Sequence, residues 1–165
     1  MNPLSPRLQT VLDALPLAPG LRVLEIGCGP GALARAMAAR VAPGGQVLGL
    51  DRSPHAIAQA FAGSAAEIAA GGLTFRQGSI EDYALAVGEA RFDLVVAVRV
   101  GALDGRHPQA GERAWASIRA ALAPGGRVFV DGSEIFGGEA WECRAKYAVS
   151  QTSVRIHGSK TRKPR

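Results

Sequence analysis

The chain has 165 residues, of which 47% are hydrophobic and 20% charged, and its formal net charge is +5. This length suits one domain with a substantial core, and the composition is typical of a globular, soluble protein, since no apolar stretch reaches the roughly 18 residues of a membrane span. The N-terminal segment lacks the pattern of a signal peptide and the two cysteines make no ligand pattern, so we expect a cytoplasmic protein without a metal site.

The excess positive charge is confined to the C-terminal segment. Residues 1–143 carry 12 arginines, no lysine and 14 acidic residues, whereas residues 144–165 carry seven basic residues and no acid. We therefore predict a domain over 1–143 and a basic segment over 144–165 that forms an edge strand and then a disordered tail. A solvated terminus and an electrostatic contact with RNA or another anionic surface both fit this segment.

Apolar periodicity predicts helices alternating with strands. An amphipathic helix over "LSPRLQTVLDAL" is followed by the strand "RVLEI", a glycine loop, the helix "ALARAMAARV" and the strand "QVLGLD". Ser53 and Pro54 then start a helix whose buried face contains Ile57, Phe61 and Ile68. The strands "LTFRQ" and "FDLVVAV", the helix "ERAWASIRAAL" and the strand "RVFVD" complete the series.

This alternation predicts an α/β fold with a doubly wound, mostly parallel sheet, helices on both faces and right-handed crossovers. Beyond the fifth strand the pattern weakens, and the segments "ECRAKYAVS" and "SVRIHG" predict a shortened C-terminal hairpin. A shortened hairpin would leave the fifth strand partly exposed, which favours dimerisation.

The loop Gly27–Ala32, between the first strand and its helix, is the candidate ligand site, because doubly wound sheets bind ligands at the carboxyl ends of their strands. Gly27, Gly29 and Ala32 fit the G-x-G-x-x-G/A pattern of dinucleotide-binding loops. Asp51 ends the second strand, where a ribose-binding acid belongs. Alone, these features are a weak signal for a nucleotide.

Two residues oppose a pyrophosphate in this loop. Pro30 has no backbone N–H to donate to an anion. A Glu25 carboxylate would repel a diphosphate, since like charges ~5 Å apart cost roughly 3 kcal/mol at an effective dielectric of about 20. A ligand with an adenosine, a diol and a positive charge but no phosphate fits better, and S-adenosylmethionine is such a ligand.

The sequence "VLEIGCGPGALARAMA" resembles the first motif of class I S-adenosylmethionine-dependent methyltransferases. The resemblance continues, in family order and spacing, through "VLGLDRSPHAIAQA", "LTFRQGSIEDYAL", "RFDLVVAVRV" and "ALAPGGRVFVDG", and it covers roughly residues 8–131. It implies S-adenosylmethionine as the cofactor and methyl transfer as the activity. We expect a small-molecule acceptor, because the segments that build substrate pockets in the family are short here.

The resemblance also implies which residues contact the cofactor. The acid before the loop and the loop itself would hold the methionine end, Asp51 would accept both ribose hydroxyls, and Arg52 would line the adenine side. Arg99 would lie where methyl group and acceptor meet, although an ion pair with Asp104 or Asp131 is an equal alternative. The full set is Glu25, Gly27, Cys28, Gly29, Gly31, Asp51, Arg52, Ser79, Ile80 and Arg99. In the family an acid is common at the position of Ser79.

No catalytic residue is evident, since methyl transfer depends mainly on positioning and the nearest candidate bases, Asp104 and His107, are as well explained as loop residues. The segment "AVRVGALDG" lacks the Pro-Pro-Tyr/Phe tetrad of enzymes that methylate adenine or glutamine amino groups. Because the segments that build substrate pockets in the family are short here, an alternative is a cofactor-binding subunit that needs or serves a partner protein. A third hypothesis, an NAD-dependent oxidoreductase, is opposed by Glu25 and Pro30.

Overall fold

The structure is a computed structural model that describes residues 4–103 and 107–136. The helices are α1 (Pro6–Ala14), α2 (Ala32–Val41), α3 (Pro54–Ala62), α4 (Ala65–Ala69) and α5 (Pro108–Ala121). The strands are β1 (Arg22–Ile26), β2 (Gln46–Asp51), β3 (Leu73–Gln77), β4 (Phe92–Ala97), β5 (Leu122–Val130) and β6 (Ser133–Phe136), and a short 3₁₀ helix spans Ile80–Asp82.

The strands form one sheet in the order β3-β2-β1-β4-β5-β6, in which the first five run parallel and β6 runs antiparallel to β5. The direction of winding reverses between β1 and β4, which places the topological switch point at the loop after β1. The predicted α/β fold, with a doubly wound and mostly parallel sheet, is confirmed.

Two hydrophobic clusters cover the two faces of the sheet. Val23 of β1 belongs to the cluster under α1, α2 and α3, whereas its neighbour Leu24 belongs to the cluster under α5 and the 3₁₀ helix. Both side chains are fully buried, as expected for a central parallel strand. Because successive side chains of a strand point to opposite faces of the sheet, Glu25 projects, like Val23, toward the face that α2 covers.

The helix that starts after Ser53 is shorter than predicted. The Ser53 hydroxyl accepts a backbone N–H of the first turn, as predicted, but α3 ends at Ala62 and α4 follows as a separate helix. The buried stripe of α3 runs through Ile57 and Ala60. The prediction that Phe61 is buried is wrong, because Phe61 lies beside this stripe and stays 44% exposed.

β5 is longer than predicted and turns directly into β6. It includes the glycine pair that precedes "RVFVD", since Leu122 already pairs with Phe92 of β4. Asp131 and Gly132 have φ values of 50° and 84°, as a type I′ hairpin turn requires and as an Asp-Gly pair favours. The hairpin predicted within "ECRAKYAVS" and "SVRIHG" and the boundary at 143/144 lie outside the described residues.

None of the helices in the described part of the chain combines the length and the hydropathy that a membrane span requires.

Candidate functional site

A cavity of about 600 Å³ opens at the carboxyl ends of β1, β2, β3 and β4. Its lining comes from the segments that follow these strands and from the start of α5. This is the position that the sheet topology predicts for a ligand. Of the residues that the sequence predicted to bind a cofactor, the cavity is lined by Gly27, Asp51, Arg52, Ser79, Ile80 and Arg99.

The glycine loop after β1 uses its own backbone donors. Pro30 has no backbone N–H, and the other four N–H groups of residues 27–31 all donate hydrogen bonds within the chain, at 2.8 to 3.1 Å. The Gly27 and Cys28 N–H groups donate to the Leu50 carbonyl. The Gly29 N–H donates to Asp51 Oδ2, and the Gly31 N–H donates to the Cys28 carbonyl. A phosphate bound by the backbone of this loop would have to displace one of these bonds. Residues 27–31 therefore lack the free donors that a phosphate cradle requires.

Glycine is required in this loop by backbone conformation and by crowding. Gly27, Gly29 and Gly31 all have positive φ. A Cβ on Gly31 would also lie 2.7 Å from Cζ of Phe75, and one on Gly27 would lie 3.0 Å from Cγ2 of Val100. The loop is thus held tightly between β3 and the segment after β4.

Glu25 is buried beside this loop, with only 3% of its surface exposed. Its carboxyl group accepts the backbone N–H of Ala34 in the first turn of α2, but its Oε2 atom has no hydrogen-bond partner among the described residues. Burial, and to a smaller extent the charge of Asp51, raise the pKa of Glu25 to about 8, although the Ala34 N–H and the Arg35 guanidinium act in the opposite direction.

This raised pKa modifies the argument made from the sequence. The repulsion of a diphosphate was derived for a charged carboxylate, whereas a group with a pKa of about 8 is mostly protonated at neutral pH. A cation next to Glu25 would favour the ionised form and pair with it. Glu25, which lies beside the glycine loop and is not among the residues that line the cavity, would therefore favour a cation over an anion in its ionised form.

Asp51 connects the glycine loop to the end of β2. Its Oδ2 accepts the Gly29 N–H at 2.9 Å, and its Oδ1 accepts the Ser53 N–H at 2.8 Å. Each carboxylate oxygen can accept a further hydrogen bond, so both remain suitable for ribose hydroxyls. The sequence predicted a ribose contact but not this second role in holding the loop.

The other predicted residues differ in how they meet the cavity. Cys28 is buried in the cluster under α2, where burial raises the pKa of its thiol, so at most its backbone faces a ligand. The Ser79 hydroxyl donates to Asp82 Oδ2 at 2.9 Å, and Ile80 is shared between the cavity and the core. Arg52 is exposed at the rim.

Arg99 lies where β4 meets the cavity, in a left-handed conformation with φ of 57°. Its backbone N–H donates to Asp131 Oδ1 at 3.0 Å, and the guanidinium that pairs with this same oxygen, also at 3.0 Å, belongs to Arg7 of α1. The contact between Arg99 and Asp131 therefore exists, but it involves the backbone of Arg99. His107, at the start of α5, lines the cavity, and Asp104 lies outside the described residues.

A family model described as a methyltransferase domain matches residues 17–152. The chain belongs to this methyltransferase family. The family and the fold that the sequence predicted are thereby confirmed. The roles of individual residues of the methyltransferase domain stay predictions.

Solved structures with similar folds include three methyltransferases. An S-adenosylmethionine-dependent methyltransferase from Geobacter sulfurreducens, solved with S-adenosyl-L-homocysteine, is 27% identical, with a TM-score of 0.59, over 78% of this chain and 49% of that one. A TehB-like S-adenosylmethionine-dependent methyltransferase from Corynebacterium glutamicum is 25% identical, with a TM-score of 0.56, over 78% of this chain and 62% of that one. An arsenic(III) S-adenosylmethionine methyltransferase from Chlamydomonas reinhardtii is 27% identical, with a TM-score of 0.57, over 77% of this chain and 49% of that one.

This methyltransferase domain thus spans about half to three fifths of the length of the solved proteins that it resembles. A search of curated protein sequences found no match.

Proposed function

We propose that this methyltransferase domain binds S-adenosylmethionine in the cavity and transfers its methyl group to a small-molecule acceptor. One observation carries the proposal: the N–H donors of residues 27–31 are occupied, while the buried Glu25 beside them keeps an oxygen without a partner among the described residues. A phosphate needs free donors, whereas an onium ligand would favour the carboxylate form of Glu25 and pair with it. The arrangement therefore favours a cationic nucleoside over a dinucleotide.

The residues present fit this cofactor in both of its halves. Asp51 offers two carboxylate oxygens for the ribose hydroxyls, and Leu50 and Ile80 give the cavity apolar surface for an adenine. Ser79 and Arg52 would edge the adenine. Glu25 and the glycine loop would hold the methionine end.

When bound, the cofactor would supply a methyl group on a sulfonium, which is a good leaving group. The chain would hold the ribose with Asp51 and the methionine end with Glu25 and the glycine loop, and it would position the acceptor and exclude water. No side chain is required as a base unless the acceptor is a weak nucleophile.

A second candidate is a cofactor-binding subunit that works with a second copy or a partner protein. β6 favours it, because β6 is the last strand of the sheet within the described residues and its Ile135 is exposed. A cytoplasmic location is part of the proposal at this finer level, whereas a nucleic-acid contact through residues 144–165 is an open alternative that we do not favour. The free thiol of buried Cys28 supports a reducing compartment.

Calorimetric titration with S-adenosylmethionine, S-adenosylhomocysteine and NAD tests the cofactor. We expect heat from the first two and none from NAD. Asp51→Ala should weaken S-adenosylhomocysteine binding at least ~10-fold, about 1.4 kcal/mol, because it leaves the diol unpaired and releases Gly29. Asp13→Ala, which removes an exposed carboxylate of α1, is the matched control and should change nothing.

Binding of NAD, or no heat with S-adenosylmethionine, would contradict the proposal. A screen with radiolabelled methyl groups on small acceptors, combined with the mass in solution, separates an enzyme that acts alone from a subunit.

A further inference from the structure

We infer that the methyl acceptor carries an oxyanion, a carboxylate or a phosphate, and that the guanidinium of Arg99 binds it on the β4 side of the cavity. The inference rests on the proposed function, since it names the class of substrate for the same site. Asp131 is then a positioning residue, because its contact with Arg99 is made through the Arg99 backbone N–H.

The charged groups that line the cavity are unevenly distributed. Asp51, Arg52 and Glu81 follow β2 and β3, on the side where the adenosine is proposed to bind. The β4 side is lined by Val98, Arg99, Val100, Gly101 and Ala102, with His107 and Ala110 from the start of α5. Arg99 carries the permanent charge of this wall among the described residues, so it dominates recognition there.

Apart from His107, the rest of this wall is small and apolar, and it is tightly supported. The turn after β4 closes with a hydrogen bond from the Leu103 N–H to the Val100 carbonyl at 2.9 Å. α5 packs directly against this turn, because a Cβ on Gly111 would lie 2.9 Å from the Ala102 carbonyl oxygen. A firm wall that is apolar except for His107 and the guanidinium of Arg99 suits a small acid with an apolar body.

The backbone of Arg99 is held in an uncommon conformation. A positive φ is disfavoured for arginine, yet the Arg99 N–H is fixed by Asp131 Oδ1 at 3.0 Å. Asp131 is itself fixed, because its own N–H donates to the Ala97 carbonyl at 2.9 Å. These two bonds join the ends of β4 and β5 and set the direction in which Arg99 leaves the strand.

An ion pair with Asp131 does not account for the side chain of Arg99, and Asp104, the other predicted partner, lies outside the described residues. Asp131 is the acid beside Arg99, but the guanidinium that pairs with it comes from Arg7. The exposed guanidinium of Arg99 has no ion pair among the described residues. A guanidinium that lies next to an apolar wall and has no ion pair within residues 4–103 and 107–136 is suited to bidentate binding of a carboxylate or phosphate.

The test uses the full chain saturated with S-adenosylhomocysteine and titrated with benzoate, phenyl phosphate and benzamide, with binding followed by NMR. We expect benzoate or phenyl phosphate to bind at least ~10-fold more tightly than neutral benzamide. The better of the two anions identifies the oxyanion. Arg99→Ala should lower the affinity for that anion at least ~10-fold and leave the affinity for S-adenosylhomocysteine within about twofold. Arg40→Ala, at an exposed arginine of α2 outside the cavity, should leave both unchanged.

Variants of Asp131 test its positioning role. Asp131→Ala should weaken anion binding severalfold without changing the affinity for S-adenosylhomocysteine. Asp131→Asn should restore it, because the amide oxygen can still accept the Arg99 N–H and an Asn-Gly pair still forms a type I′ turn.

The outcomes are distinct. If neither anion binds the wild-type complex, if benzamide binds equally well, or if Arg99→Ala binds the anion normally, the inference is overturned. If Arg99→Ala instead loses S-adenosylhomocysteine, the guanidinium binds the carboxylate of the cofactor and the inference is also overturned. Failure of the wild-type chain to bind S-adenosylhomocysteine would contradict the proposed function itself.

Discussion

Replacing Glu25 by glutamine should change how the stability of the domain depends on pH. The pKa of this buried carboxyl group rises from 4.5 to about 8, and each unit corresponds to ~1.4 kcal/mol. The unfolded chain releases the proton near pH 4.5, but the folded chain keeps it up to about pH 8. The folded state therefore binds more protons between these values, and the free energy of unfolding of the wild type falls by about 5 kcal/mol as the pH rises through them.

Urea denaturation of the wild type and of Glu25→Gln at several pH values between about 5 and 8 measures this effect. Glutamine does not titrate, so the difference between the two proteins isolates Glu25 and cancels the other groups. We expect similar stabilities near pH 5 and a variant that is several kcal/mol more stable near pH 8. Asp13→Asn, at an exposed acid of α1, is the matched control and should show no such divergence.

A difference that stays constant over this range would refute the reasoning, because it would mean that Glu25 is ionised in the folded chain throughout. The same measurement with bound S-adenosylmethionine extends the test. A cation beside Glu25 favours the carboxylate, so cofactor binding at neutral pH should release a proton in the wild type that it does not release in Glu25→Gln. Calorimetry in buffers of different ionisation enthalpy detects this proton.

Two further variants test the packing around the loop. Gly31→Ala should lower the free energy of unfolding by ~2–4 kcal/mol in thermal denaturation, because a methyl group 2.7 Å from Phe75 adds to the strain of a positive φ. The control Gly20→Ala has a positive φ but open space around it, so it should lower the free energy of unfolding by only about 1 kcal/mol. Equal losses in the two variants would contradict the crowding at Gly31. In a Cys143→Ser background, the Cys28 thiol should react with a thiol reagent only when the chain unfolds, because burial raises the pKa of this thiol. Rapid reaction of the folded chain would contradict the burial of Cys28.

The sequence predicted β1, β2 and β3 best, since all three have the bounds that the sequence indicated. β1 and β2 are buried on both faces and end where their apolar runs end. β3 lies at the edge of the sheet and alternates between buried and exposed positions. The start of β5 was not predictable in this way. The segments "VAPGG" and "LAPGG" look alike, yet the first forms a turn before β2, whereas the second extends β5 through pairing between Leu122 and Phe92. Pairing with a distant strand decided the second case, and no local pattern records it.

The site was predictable where it depends on residue type and on the order of strands. Asp51 and the glycine loop follow adjacent strands, so parallel pairing brings them together. The protonation of Glu25 was not predictable, because it depends on how completely α2 covers the carboxyl group. Nor was the pairing of Arg7 with Asp131, which are 124 residues apart in the chain.

The hairpin after β5 links the edge of the sheet to the cavity. A reversal within two residues needs positive φ at both, and aspartate is one of the few residues that tolerate it. Arg99 also has a positive φ, so the backbone strain at Asp131 and Arg99 together costs ~2–4 kcal/mol. The exposed pair with Arg7 contributes at most about 1 kcal/mol. The hydrogen bond from the Arg99 N–H to the Asp131 carboxylate is also exposed and contributes about 1 kcal/mol. This backbone contact therefore offsets part of the strain, so loss of the carboxylate at position 131 would let Arg99 relax and would redirect its side chain.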